Sequence, residues 1–334
     1  MTNISTTRIL IIRFSSIGDI VLTTPVVRML KQQLDGEVEI HFLTKEKFTG
    51  LLSSNPYITK VHTIVKSVQE VLPSLEAIGF DYIIDLHGNI RSSVVKRRLK
   101  TLSFTFDKLN LKKWLWVNFG INKMPDKHIV ERYLDTAKAF GIKDDGKGLD
   151  YFMPSDVVIK NEELKTFIQQ PFVAFAIGGA HIGKRMGQKK LASLCCAIDY
   201  PIVLLGGKED IEVGNFVLEN NSHQMFDATG ILSLDESAIC LKEAELVITG
   251  DTGLMHIASA FNKKIISLWG CTVPEFGMHP YRPNQASIIL EPLGRGKRPC
   301  SKLGNKCKYG IGNRCIEHIE DKTIADAVLR IMTR

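Results

Sequence analysis

The chain has 334 residues, 44% of them apolar and 24% charged, with a formal net charge of +7. That length exceeds what one core usually organises and predicts two domains, while the composition excludes a disordered, collagenous or membrane-embedded chain. No apolar run spans a bilayer and no signal sequence opens the chain, so a cytoplasmic protein is expected; seven cysteines, two of them adjacent at Cys195 and Cys196, do not resemble a secreted disulfide framework.

In chain order, residues 8–14 read as a buried parallel strand and Ser15-Ser16-Ile17-Gly18-Asp19 as the turn after it. Ile20, Val21, Val26, Val27 and Leu30 then recur at helical spacing, with Pro25 tolerated in an early turn. Ligands of open α/β sheets bind beyond the carboxyl ends of the strands, where Asp19 would be presented at a helix start. It reads either as a complement to the helix dipole or as a general base. Further buried strands are expected over 37–43, 61–65 and 82–86.

Residues 1–150 carry 22 Lys or Arg against 16 Asp or Glu, and the remainder 21 against 20, so the excess lies in the first half. It concentrates from Arg91 to Arg132, where Lys96, Arg97, Arg98, Lys100, Lys108, Lys112, Lys113, Lys123 and Lys127 face only Asp107, Asp126 and Glu131. Trp114, Leu115, Trp116, Val117 and Phe119 are interleaved with these cations. Such a run is either a solvated face or, since amphipathic rings settle at headgroup depth while cations meet anionic lipid, a membrane-surface contact. No nucleic-acid-binding motif is present, and no nucleic-acid partner is expected.

Residues 144–171, with charge clusters, Gly146, Gly148 and Pro154, read as a boundary. The expected domains are 1–155 and 156–315, followed by a helix in 316–334 that packs back on the first domain. Strands are expected over 173–177, 202–205, 246–249 and 264–268, and their alternation with helices means parallel sheets covered on both faces. The first of these leads into Gly178-Gly179-Ala180-His181-Ile182-Gly183-Lys184-Arg185, a Gly-rich turn ending in two cations. This turn reads either as a flexible surface loop or as a phosphate contact in which Lys184 would neutralise a leaving diphosphate. After the next strand, Glu209 is placed to accept hydrogen bonds from a ribose diol. After the third, Asp251-Thr252-Gly253-Leu254-Met255-His256 sits where strand hands over to helix, and the first amides of a helix form a natural anion site. Asp251 or Thr252 also reads simply as the helix cap. His256 either braces this loop or touches the ligand. Cys300, Cys307 and Cys315 could bind zinc with His318, but no C-x-x-C pair is present, and incidental thiols in a loop are the preferred reading; no metal and no cofactor are expected.

Over nearly its whole length the sequence resembles glycosyltransferase family nine, the heptosyltransferases that build the inner core of lipopolysaccharide. The resemblance rests on Ser15-Ser16-Ile17-Gly18-Asp19, Asp85-Leu86-His87-Gly88 with Arg91, His128-Ile129-Val130-Glu131-Arg132-Tyr133, Lys184-Arg185, Asp251-Thr252-Gly253-Leu254-Met255-His256, and Trp269-Gly270 with Thr272 and Pro274. Where the family usually reads Lys-Arg-Trp-Pro, this chain has Lys184-Arg185-Met186-Gly187, which removes a rigid turn.

That resemblance implies an α/β GT-B architecture: two Rossmann-like, doubly wound parallel-sheet domains facing across a cleft, with the acceptor on the first and the nucleotide sugar on the second. The implied donor is ADP-L-glycero-D-manno-heptose, and the implied acceptor a Kdo or heptose residue of the lipid A core. Asp19 takes the place of the base and Lys184 that of the phosphate-side lysine. Ser16, Gly18, Glu209, Asp251, Thr252, Gly253, Leu254 and His256 fall on the donor side, and Arg91 and Arg132 on the acceptor side. Peripheral contact with the cytoplasmic face of an anionic inner membrane would fit such an acceptor. The sequence holds no Asp-x-Asp pair for a divalent ion, so inverting, metal-independent transfer is expected, with domain closure excluding water. Three alternatives remain: another sugar or acceptor, a nicotinamide-dependent oxidoreductase, and a noncatalytic nucleotide- or glycan-binding module. No Gly-x-Gly-x-x-Gly follows the first strand, which counts against the oxidoreductase.

Overall fold

The computed structural model describes residues 6–221, 224–294, 298–310 and 314–333. The chain divides into two compact units, the first running to Lys108 and resuming over Lys127–Met153, the second comprising Leu109–Asp126 and the described residues from Pro154 onward.

The first unit is built on a five-stranded parallel sheet of β1 (Thr7–Ile12), β2 (Val38–Lys45), β3 (Lys60–Ile64), β4 (Tyr82–Asp85) and β5 (Leu102–Thr105), in the order β3-β2-β1-β4-β5. Continuous apolar runs suit central strands covered on both faces; Ile9, Leu10, Ile11 and Ile12 are fully buried accordingly. Leu10, Ile12, Leu43 and Ile83 join Leu72, Leu75, Phe80 and Val95 in one core layer. The helical periodicity after β1 resolves into two helices, Ile17–Val21 and Thr24–Gln33, with Pro25 in the first turn of the second, where its missing N–H costs no intrahelical bond. Arg28 of that second helix is 2% exposed; it binds Asp145 through Nε at 2.8 Å and Nη2 at 3.0 Å, the Gly148 carbonyl at 2.9 Å, and Asp150.

The second unit carries a six-stranded parallel sheet of β6 (Val173–Ala176), β7 (Ile202–Leu205), β8 (Met225–Asp227), β9 (Leu246–Gly250), β10 (Ile265–Leu268) and β11 (Ile288–Leu290), in the order β11-β10-β9-β6-β7-β8. In each unit the first strand sits centrally, and the strand order reverses beside it, between β1 and β4 and between β6 and β9. This is the Rossmann arrangement.

Two expectations about the chain's course need correction. The helix Asp321–Met332, expected to pack back on the first domain, belongs to the second unit's own core: Ile324, Ala327, Val328 and Ile331, spaced for one helix face, are buried with Val173, Leu246 and Leu268. Asp321 at its start pairs with Lys190 at 2.5 Å and accepts from the Ser193 hydroxyl at 2.5 Å. The helix Asn110–Phe119, assigned by sequence to the first domain, groups with the second. Trp116 supplies the reason, its large apolar ring standing edge-on to Phe276 at 5.6 Å, while the Lys113 ammonium lies over the other ring and Lys308 donates to the Val117 carbonyl at 2.6 Å. Among the described residues no helix is long and apolar enough to cross a membrane.

Candidate active site

Ligands of doubly wound sheets bind where the loops of neighbouring strands diverge, and each unit has one such point. In the first it is framed by the turn after β1 and the loop after β4. The turn carries Asp19 at the third position of the helix Ile17–Val21, and its carboxylate Oδ2 accepts from the Ser16 amide at 3.1 Å and the Ser16 hydroxyl at 2.7 Å. Its other oxygen meets the Arg13 guanidinium at 2.5 Å. Burial alone would raise the Asp19 pKa, but the Arg13 charge and the Ser16 hydrogen bonds outweigh it and hold the carboxyl at about 2. Asp19 is therefore ionised at every working pH. Each oxygen retains lone-pair capacity, so the carboxylate can still receive a proton.

Arg13 follows β1 directly and is fixed on three other sides, donating to the Ser15 carbonyl at 2.8 Å, the Leu86 carbonyl at 2.5 Å and the Tyr133 hydroxyl at 3.0 Å. The loop after β4 is shaped by the fully buried Asp85, which accepts from the His87 and Gly88 amides at 3.0 and 2.7 Å and pairs with Lys96 at 3.0 Å. His87 stands edge-on to Phe14 at 5.0 Å, and burial and the neighbouring Arg13 and Lys108 charges lower its pKa to about 4. It is neutral near pH 7, with Nδ1 buried and without a hydrogen-bond partner among the described residues. Burial and the Arg13 charge also depress Lys108, which lies in the field of Asp85 and Asp19.

In the second unit the loops after β6 and β9 meet through the Lys184 ammonium, 2.6 Å from Asp251 Oδ2. The same oxygen accepts from the Thr272 hydroxyl at 3.0 Å, in the loop after β10. The helix Gly253–Ala260 starts here with Thr252 at its N-cap, but the Thr252 hydroxyl pairs with Thr249 at 3.0 Å and makes no cap bond. Both candidate capping side chains are thus engaged elsewhere. The helix presents its first amides without a side-chain cap, the arrangement that receives phosphate oxygens. A Cβ on Gly178 would lie 2.6 Å from Asp210 Oδ2, and one on Gly250 3.0 Å from the Lys184 carbonyl, so glycine lets these turns close on one another.

The expected residues divide between the two places. Ser16, Gly18 and Asp19 lie in the first unit's turn; Lys184, Asp251, Thr252, Gly253 and Leu254 cluster in the second, with His256 buried one turn along the helix. Glu209 projects from the turn after β7, 62% exposed and 3.7 Å from Arg185. Arg91 is exposed on the helix Ile90–Leu99, whereas Arg132 is 3% exposed and donates to the Asp107 carbonyl at 3.5 Å, so its guanidinium is not displayed to a ligand. Sequence alone assigns no role to Arg13 or to Tyr133, which it shows only as the end of a motif, and counts Lys108 only as surface charge. A guanidinium ending an otherwise apolar buried strand was the available signal. The structure also brings Cys271 together with Cys300, Cys307 and Cys315; the companion of the three C-terminal cysteines is this residue after β10, not His318.

Two Rossmann-like units, each with charged groups at its switch point, are the parts of a GT-B architecture, and a family match gives that architecture its class. The glycosyltransferase family 9 (heptosyltransferase) profile matches residues 68–308, and the chain belongs to that family. It is 27% identical to lipopolysaccharide heptosyltransferase 1 of Campylobacter coli, over 96% of this chain and 98% of that protein. Among solved structures it resembles the family 9 glycosyltransferase of Veillonella parvula, with TM-score 0.76 at 22% identity over 98% and 97% of the two chains. It also resembles the E. coli heptosyltransferase WaaC with ADP, with TM-score 0.68 at 19% identity over 98% of each chain.

Proposed function

We propose that this enzyme transfers heptose from ADP-L-glycero-D-manno-heptose to a Kdo or heptose residue of the lipopolysaccharide inner core, by a single inverting displacement that needs no metal. The observation that carries the reading is the Lys184–Asp251 pair beside the uncapped start of the helix Gly253–Ala260, a cradle suited to a nucleotide diphosphate. The C. coli relative, matched end to end, supports the choice of sugar and acceptor.

The chemistry divides into two halves, one for each unit. On the second, Lys184 and the amides of the helix start take up the negative charge that grows on ADP as the glycosidic bond breaks, a contact worth more in the transition state than in the ground state. Glu209 is assigned the ribose diol. On the first, Asp19 receives the proton of the acceptor hydroxyl. A carboxylate held at about 2 is a weak base. It suffices when the hydroxyl sheds its proton late, after its bond to an oxocarbenium-like carbon has begun to form and made it acidic. Arg91 is assigned to the acidic acceptor, and the exposed Leu111, Trp114 and Phe119, set among lysines, to the surface of an anionic membrane.

The test is transfer by the purified enzyme from ADP-heptose to a panel of truncated core glycolipids, with chelator present and the product anomer read by NMR. Turnover in chelator with inverted configuration is expected. Turnover with a different nucleotide sugar and none with ADP-heptose refutes the donor, a retained configuration refutes the single displacement, and loss of turnover in chelator with the fold intact by circular dichroism refutes metal-independent transfer.

A further inference from the structure

Four of the seven cysteines converge on one place in the second unit. Cys271 lies in the loop after β10, Cys300 and Cys307 in a stretch without regular secondary structure, and Cys315 at the start of a short helical turn, Cys315–His318. Cys271, Cys300 and Cys315 are buried and Cys307 is half-buried. Cys271, Cys300 and Cys315 form one buried cluster with Cys307 packed against it. The Cys271, Cys300 and Cys307 sulfurs all lie within 4.8 Å of one another. Four thiolates around one zinc at about 2.3 Å stand about 3.8 Å apart along each tetrahedral edge, so a small contraction of these three sulfurs makes three corners of a coordination shell, and Cys315, in the same buried cluster, is the thiol available for the fourth. A disulfide joins two sulfurs and has no use for a third and fourth beside them.

The surroundings suit thiolates. The Lys308 backbone amide hydrogen-bonds to the Cys300 sulfur, the usual outer-shell support of a ligating sulfur. Four thiolates on a divalent ion leave two negative charges. Lys308 lies beside them, and the Arg298 guanidinium brackets Cys271, donating to the Gly270 carbonyl at 2.5 Å and the Thr272 carbonyl at 2.9 Å. The segment has no regular secondary structure to order it. Leu303 is 59% exposed, and the chain turns inward mainly at its cysteines and small residues.

We infer that Cys271, Cys300, Cys307 and Cys315 bind one structural transition-metal ion, zinc or iron, which fastens this segment behind the Lys184 turn. The fastening is visible in the backbone. The Gly183 amide donates to the Gly304 carbonyl at 3.0 Å, the Cys271 amide to the Gly183 carbonyl at 3.3 Å, and the Cys300 amide to the Cys271 carbonyl at 2.8 Å. A Cβ on Gly304 would stand 2.9 Å from Lys184 Cγ, and one on Gly183 2.7 Å from Cys271 Sγ. A metal at the thiols therefore sets the position of the lysine's own loop without touching substrate. Four sulfur ligands leave no open coordination position, so the ion has no part in the transfer chemistry.

The full chain, without a polyhistidine tag, is isolated under reducing conditions from cells supplied with zinc and iron, and its metal is measured by mass spectrometry. About one zinc or one iron per chain is expected, released as a mercurial titrates the thiols, and the element found decides between the two. Cys271→Ser and Cys307→Ser should each lower the content to below about a tenth of an ion per chain, and removing the metal from the wild type should lower its melting temperature. Wild-type protein with less than about a tenth of an ion per chain overturns the inference, whether its thiols are found reduced or as disulfides, and needs no variant to fold. A full complement of metal retained by both serine variants overturns it as well.

Discussion

Replacing Lys184 with methionine tests the diphosphate cradle with a sign as well as a size. The ammonium lies 2.6 Å from Asp251 Oδ2, and the two side chains are 16% and 8% exposed. Two losses follow when the charge is removed. A charge-assisted hydrogen bond to the diphosphate disappears, worth about 1.5–3 kcal/mol, or about 10- to 150-fold in Kd. The Asp251 carboxylate is then left beside the ligand uncompensated, and its repulsion of ADP adds to the loss. K184M should therefore bind ADP at least about 10-fold more weakly than the wild type, and K184M/D251N should bind more tightly than K184M because the repulsion has gone. Titration calorimetry with ADP measures both, and AMP serves as the control, since the wild type's preference for ADP over AMP should shrink in K184M. K184M within about threefold of the wild type, or a double variant weaker than K184M, refutes the placement of the diphosphate at this pair.

Three further outcomes are expected. Asp19→Asn should reduce transfer by about 100-fold or more while ADP affinity in calorimetry stays unchanged, because the amide is isosteric but cannot accept the proton. Arg13→Gln removes the charge that helps hold Asp19 at about 2, leaving burial opposed only by the Ser16 hydrogen bonds, so the carboxyl rises. The protonated, inactive fraction grows at low pH, so the acid limb of the kcat/KM profile should move to higher pH than in the wild type. Arg28→Met leaves Asp145 and Asp150 without their buried partner and should cost about 3–5 kcal/mol in urea unfolding, part of it recovered in a variant that also carries D145N and D150N.

What sequence conveyed about this molecule follows from which positions are buried on both sides. Eight strands announce themselves as apolar runs because both faces of a parallel sheet are covered. The three that pass unnoticed, β5, β8 and β11, all lie at sheet edges, where sequences such as Leu102-Ser103-Phe104-Thr105 mix exposed and half-buried positions. Site residues in Gly-rich loops at strand ends, Asp19, Lys184 and Asp251 among them, are legible because local geometry dictates what those loops present. Partners contributed from elsewhere are not. Tyr133 reaches Arg13 across 120 positions of sequence, and Cys271 joins Cys300 from a different loop, so neither spacing forms a local pattern. The C-terminal helix shows its amphipathic stripe plainly, but a stripe does not say which sheet will cover it.

The grouping of Leu109–Asp126 with the second unit has a practical bearing on protein engineering. The polypeptide passes between its two units three times, at Lys108/Leu109, Asp126/Lys127 and Met153/Pro154. Grafting the Asp19-bearing half of one relative onto the Asp251-bearing half of another at Met153/Pro154 alone would strand Trp116 away from Phe276, and at Lys108/Leu109 alone would part Lys127–Met153 from the first unit. A working chimera needs three splices, with the helix Asn110–Phe119 travelling alongside the portion that holds Phe276.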